Sequence, residues 1–242
     1  LYLLMVAGQQ SKMNILKKIY YEKYTKKSYS FNNVDLIIDY LLKDIENGIY
    51  IDLGCNHPIK FNNTYLLYKR GWSGINIDSD KISIDLFNKF RKNDFNVNKI
   101  VSENEDLKKL YIYHDRSTIN TLDKELVDSR TKKPISEIEE KSTTLNKIIE
   151  KSPFEKDKIN LLTVDIEGHE FQALKNFNFS KYKIDVVVLE LFDKSLSKIE
   201  MFNQSIDFVT KSRIYNLLLN NNYKLINWVH SDLIFVRNDF PN

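Results

Sequence analysis

The sequence predicts an α/β domain, with a mostly parallel sheet, helices on both faces and an antiparallel final strand. Three observations point there. Short apolar runs alternate with segments of helical periodicity from residue 49 onward, the pattern of strand–helix–strand units. Four strand ends carry an acid or a glycine turn, at Asp52-Leu53-Gly54, Asp78, Asp165 and Glu190. The last two runs are joined by too few residues for a crossover, so they must pair antiparallel.

Residues 1–12 are expected to be a cloning or upstream remnant. Leu1 to Gly8 is apolar but short, lacks the basic flank of a signal peptide, and precedes Met13. Residues 13–47 read as an N-terminal helical extension. Leu36, Ile37, Tyr40, Leu41 and Ile45 recur at helical spacing, and Asn47-Gly48 ends the run as a C-cap would. Strands are expected at 49–53, 74–78 and 95–101, with helices at 63–70 and 81–90 between them. Residues 105–142 read as a polar, substrate-side insertion with two extra strands, at 110–113 and 135–138. Thr143 or Thr144 caps a helix through Glu150. The almost continuous apolar run 159–164 is a buried parallel strand. A helix at 170–177, a strand at 184–189, a helix near 203–221 and strands at 223–229 and 233–236 complete a domain spanning 48–242.

A chain of 242 residues suits one large domain of this kind. With 42% hydrophobic and 29% charged residues it can bury a core, which excludes global disorder. The net charge of +3 is spread over interleaved positive and negative residues rather than one basic face, which argues against a nucleic-acid partner. The lone cysteine, Cys55, forbids an intrachain disulfide and fits a reducing, cytoplasmic compartment. No stretch reaches the roughly 20 apolar residues of a membrane span.

In an open parallel sheet, ligands bind beyond the carboxyl ends of the strands. One acid there can simply cap a helix, but four on one edge point to a shared site. The first turn, Gly54-Cys55-Asn56-His57-Pro58, keeps only the first glycine of G-x-G-x-x-G and lacks the P-loop signature. It argues against a pyrophosphate ligand. A ribose with an amino-acid tail fits better, with Asp78 placed to accept both ribose hydroxyls.

These residues carry a family resemblance. YIDLGCNHP (50–58), NNTYLLYKRGWSGINID (62–78) and VDIEGHE (164–170) resemble the FkbM family of methyltransferases, over roughly residues 48 to 237. The middle block is the most specific. The resemblance implies a Rossmann-like, seven-stranded class I methyltransferase fold and S-adenosylmethionine as donor. It also implies O-methylation, often of sugars or natural-product hydroxyls. By position, Asp52 and Gly54 would contact the methionine part, Asp78 the ribose and Asp94 the adenine, with Asp165 near the reacting methyl; Asn56 and Thr64 join this cofactor-binding set.

An alcohol acceptor must lose a proton, which asks for a base or a metal. Asp165, His169 and His57 are the catalytic candidates, His169 preferred over His57 because it flanks Asp165. Asp165 and Glu167 share a side if the backbone stays extended, and with Glu190 could hold Mg²⁺. Glu170 is expected to serve the following helix instead, and Cys55, Tyr68 and Trp72 to pack. The expected partner is a small-molecule or glycan acceptor. An RNA methyltransferase or a non-catalytic cofactor-binding module are the alternatives. Monomer or homodimer stays open, as does whether the N-terminal helix lids the site, packs or dimerises.

Overall fold

The computed structural model describes residues 25–196 and 205–241. Its centre is a seven-stranded sheet built from β1 (Ile49–Leu53), β2 (Ser73–Asp78), β3 (Phe95–Asn98), β6 (Ile159–Val164), β7 (Val186–Glu190), β8 (Tyr223–Val229) and β9 (Asp232–Arg237). The strand order is β3-β2-β1-β6-β7-β9-β8. All neighbours pair parallel except β9, which runs antiparallel to both β7 and β8. The expected antiparallel final strand is therefore present, inserted between its two neighbours rather than added at the edge.

Side chains alternate across each strand, and two cores result. One face of the sheet contributes Ile51, Leu53, Ile75, Ile77, Leu162, Val164, Val187 and Leu189. It is covered by α5 (Leu145–Glu150), α6 (Glu170–Leu174), α7 (Phe179–Tyr182), α8 (Ile206–Lys211) and α9 (Arg213–Asn220). The opposite face contributes Tyr50, Leu161, Val186, Val188 and Ile234. It is covered by α1 (Val34–Leu41) and α2 (Tyr65–Lys69), with Trp72 buried beside Gly48. A Cβ on Gly48 would lie 2.5 Å from the Trp72 ring, so packing explains this tryptophan, as expected. Cys55 is buried against Ile84 and Phe87 of α3 (Lys81–Phe90).

Three expectations change. Of the helical extension at 13–47, residues 13–24 lie outside the described residues, and 25–30 are not helical. A short 3-10 turn (Phe31–Asn33) leads into α1. The buried Asp35 carboxylate collects the Ser28 hydroxyl (2.6 Å), the Ser30 hydroxyl (3.0 Å) and the Tyr29 amide (2.7 Å). Those bonds hold the preceding segment extended, because Ser and Asp side chains compete with helical backbone pairing. The buried helix face is Val34, Ile38 and Leu42, and Tyr40 is exposed. Ile37, Leu41 and Ile45 of the expected stripe pack half-buried beside that face. Since α1 closes one core, the domain starts before residue 48. The long helix near 203–221 is two, because Ser212 turns extended (ψ 148°) and caps α9.

The insertion folds as expected into a separate antiparallel pair, β4 (Leu107–Ile112) and β5 (Ser136–Lys141), with α4 (Lys124–Ser129) between. Thr144 caps α5. Among the described residues, no helix is long and apolar enough to cross a membrane.

Candidate active site

A cavity of about 410 Å³ lies beyond the carboxyl ends of β1, β2, β6 and β7, closed over by residues 116–122 of the insertion. That volume falls within the range of small-molecule sites. Four of its lining residues, Asn56, Phe61, Arg116 and Glu167, are non-glycine residues at positive φ, between 48° and 55°. Such backbone strain gathers where a ligand site over-determines the chain.

The turn after β1 is held by close approach. Gly54 has φ +84°, and a Cβ there would lie 1.7 Å from the Asp165 carbonyl oxygen. The Gly54 and Cys55 amides donate to the Ile77 carbonyl (2.9 and 3.2 Å). The glycine thus lets two strand ends converge. Asp78, the last residue of β2, lines the cavity. Its two carboxylate oxygens each accept one backbone amide, Asp80 at 2.8 Å and Asn56 at 2.8 Å. Burial nevertheless pushes its pKa up to about 6.

Asp52 does not face the cavity. It lies on the Tyr50 side of β1, where its carboxylate accepts from Asn62 Nδ2 (2.8 Å) and the Thr64 hydroxyl (2.9 Å). Both residues lead into α2, so Asp52 and Thr64 shape the cavity wall from behind rather than lining it. Asp94 is likewise redirected. Its carboxylate accepts from Tyr50 OH (2.6 Å), Asn76 Nδ2 (2.8 Å), Arg91 Nε (2.9 Å) and the Gly74 amide (3.0 Å). The Asp94–Arg91 ion pair is fully buried, away from the cavity. With three donors on Oδ2 and one on Oδ1, Asp94 clamps β1, β2 and the α3–β3 turn.

Neither histidine lines the cavity. His57 Nδ1 accepts from the Ile59 and Lys60 amides (3.1 and 3.0 Å) and caps its own turn. His169 is buried against Ser102, with Nε2 to Oγ 2.9 Å. The Ser102 proton is donated to Glu103 (2.5 Å), so His169 Nε2 must be the donor. Burial lowers its pKa to about 4, which keeps it neutral. Each is engaged by its own turn or by Ser102, outside the cavity lining.

The acids do converge. Asp165, Glu167 and Glu190 present oxygens within 4.8 Å of one another. Burial raises all three. Glu167 rises to about 8 despite its bond from Arg130 Nη2 (2.5 Å). Glu190, facing Asp165 and Glu167, is raised well above the carboxylate range. Asp165 is raised as well, although it is the exposed member of the three and the other two are half-buried. Glu190 Oε1 accepts from Ser231 (3.1 Å), and Oε2 is buried without a hydrogen-bond partner. Glu170 accepts from the Ile166 and Gly168 amides (3.0 and 3.1 Å), so its role is structural but in the loop before α6 rather than in the helix itself.

Sequence reasoning missed Asn63, Ser231 and Asp232 on the wall, and Arg130 behind Glu167. Asp232 was findable. It opens β9 in register with Glu190, and burial lifts it to about 7. Arg130 lies in the insertion, where no motif marks it.

A profile of the methyltransferase FkbM domain matches residues 52–225. None of the curated proteins matches the chain. Among solved structures, a TehB-like SAM-dependent methyltransferase from Corynebacterium glutamicum ATCC 13032 Kitasato aligns over 95% of this chain and 99% of its own, at 12% identity and a TM-score of 0.42. TrmK from M. capricolum, in complex with S-adenosyl-homocysteine, aligns over 85% of this chain and 70% of its own, at 13% identity and a TM-score of 0.40. On the match over residues 52–225, well over half its length, the chain belongs to the FkbM family of S-adenosylmethionine-dependent methyltransferases.

Proposed function

We propose that the chain transfers a methyl group from S-adenosylmethionine to a hydroxyl of a sugar or other small hydroxylated metabolite, with Asp165 as the proton acceptor. The observation that carries this reading is the cavity's division. Asp78 and the Gly54 turn lie over β1 and β2, whereas Asp165, Glu190 and Asp232 lie over β6, β7 and β9. The first half suits the donor. Asp78 keeps lone pairs free for two ribose hydroxyls while two amides fix its orientation.

The donor's sulfonium supplies an already activated methyl group. The protein's own work is alignment, exclusion of water and removal of the acceptor's proton. Asp165, the exposed member of the cluster, takes that proton beside Glu190. Arg130 keeps Glu167 drawn to one side. The same three carboxylates also fit a hard divalent cation such as Mg²⁺. They offer an all-oxygen donor set, and Glu190 Oε2 is buried and unpartnered. A cation there would favour the ionised form of the acceptor hydroxyl.

The RNA reading has one observation behind it. A second cavity, about 280 Å³, shares Lys99 with the first and is also lined by Lys141, Lys147 and Lys151. Lys147 is already paired with Glu105, and the cavity's ring, Phe95, packs against the core instead of offering a stacking face.

The test is release of S-adenosyl-homocysteine in the presence of a panel of methyl glycosides and of structured RNA. Asp165→Asn should retain donor binding and lose about 100-fold or more in kcat, the usual range for a positioned base. Full turnover in that variant, or turnover with RNA alone, would contradict the reading.

A further inference from the structure

Two large rings at the mouth of the cavity stabilise no core. Phe31 is 56% exposed and Phe61 is 64% exposed, yet both line the cavity. Their centroids are 5.9 Å apart at 82°, an edge-to-face pair. Phe31 also meets His230 edge-on at 5.9 Å. His230 precedes Ser231, whose hydroxyl bonds Glu190. Phe31 is thereby joined to the stretch that carries Ser231, and Phe61 is joined to Phe31.

The chain takes trouble to place them. Phe61 sits at φ +50°, a left-handed conformation that a residue with a β-carbon adopts only under strain. Phe31 is carried by the N-terminal segment. That segment is tied down by the buried Asp35 and by the Asn62 amide, which donates to the Tyr29 carbonyl at 3.1 Å. The bond links the two ring-bearing stretches directly. Apolar faces shown to solvent gain nothing for folding.

We propose that Phe31 and Phe61 form the acceptor platform, stacking on the apolar C–H face of a sugar ring while Asp232 and Ser231 engage its hydroxyls. This deepens the methyl-transfer reading above and rests on it. Aromatic ring faces are electron-rich and attract the polarised C–H bonds of a pyranose. Carboxylates at one edge then accept the ring's hydroxyl protons, which a simple aromatic acceptor would largely lack. The pairing thus favours a saturated, polyhydroxylated ring over a flat one. It also gives the N-terminal segment a role at the site, as part of the acceptor wall.

The test uses the full chain loaded with S-adenosyl-homocysteine. Saturation-transfer NMR reads contact with methyl α-glucopyranoside, methyl α-mannopyranoside and methyl α-rhamnopyranoside, with catechol as the flat competitor. Wild-type protein should saturate the ring C–H protons of at least one glycoside. Phe31→Ala with Phe61→Ala should weaken that binding by about tenfold or more, with Phe61→Trp close to wild type, while S-adenosyl-homocysteine affinity changes less than about twofold. Absence of binding by every glycoside, equal glycoside binding by the alanine variant, or preference for catechol would overturn the platform. Glycoside binding through both rings with no S-adenosyl-homocysteine affinity would leave the platform standing and overturn the methyl-transfer reading instead.

Discussion

Proton bookkeeping among the acids decides what each residue can do. Asp165 is exposed at the cavity, whereas Glu190 is half-buried and raised by burial and by the three carboxylates it faces. His169, by contrast, is spent on Ser102 and kept neutral by burial. His169→Gln, which can still donate to Ser102, should leave kcat within about threefold of wild type and cost at most about 1–2 kcal/mol of stability. A steady-state pH profile checks this. Loss of its main ionisation in the variant would return the base role to the histidine. Motif position alone could not separate these residues, because adjacency in sequence does not say which way a turn bends. Asp52 was more legible than it was read. It shares a strand face with Tyr50, so strand alternation already turned it from the side that Leu53 faces.

The strands were legible as apolar runs because a doubly covered parallel strand has no polar side to interrupt it. The helices were less so. α1 is phased by Asp35 binding back to residues 28–30, and the 203–221 run breaks where the Ser212 backbone turns extended to cap α9; neither follows from periodicity. The β1 turn is where elements meet most tightly. Gly54 brings the end of β1 against the Asp165 carbonyl at φ +84°. Gly54→Ala adds both strain and a clash with backbone, so it should destabilise by about 2–5 kcal/mol. For a domain of this size that lowers Tm by roughly 5–15 °C. An unchanged melting curve would show that the two strand ends are not packed this way.

Across the whole molecule, the raised carboxylates make stability fall as pH rises through neutrality. Asp52 and Asp78 titrate at about 6, Glu170 and Asp232 at about 7 and Glu167 at about 8, all raised first by burial. The folded state therefore holds protons that the unfolded chain releases near its ordinary values of 3.8 to 4.5. This contribution is complete below those values and is lost as pH rises through the folded ones. His169, lowered to about 4, acts oppositely, but only below its ordinary 6.5. Between pH 6.5 and 8 the carboxylates decide. Thermal melts should show Tm falling across that window, and Mg²⁺ should reduce the fall if it occupies the three-acid cluster. A rising Tm would mean that the acids are not enclosed as described. The cavity itself was only partly legible for the same whole-molecule reason. Strand-end acids announced it, but Phe31, Arg130 and Asp232 come from three distant stretches that only the fold brings together.

Binding of the donor tests the central claim most directly. Calorimetry should give micromolar-range affinity for S-adenosylmethionine and S-adenosyl-homocysteine, none for NAD, and loss of both in Asp78→Ala with its melting curve preserved. Folded wild-type protein that binds neither, or an Asp78→Ala variant that binds both as well as wild type, would contradict the account.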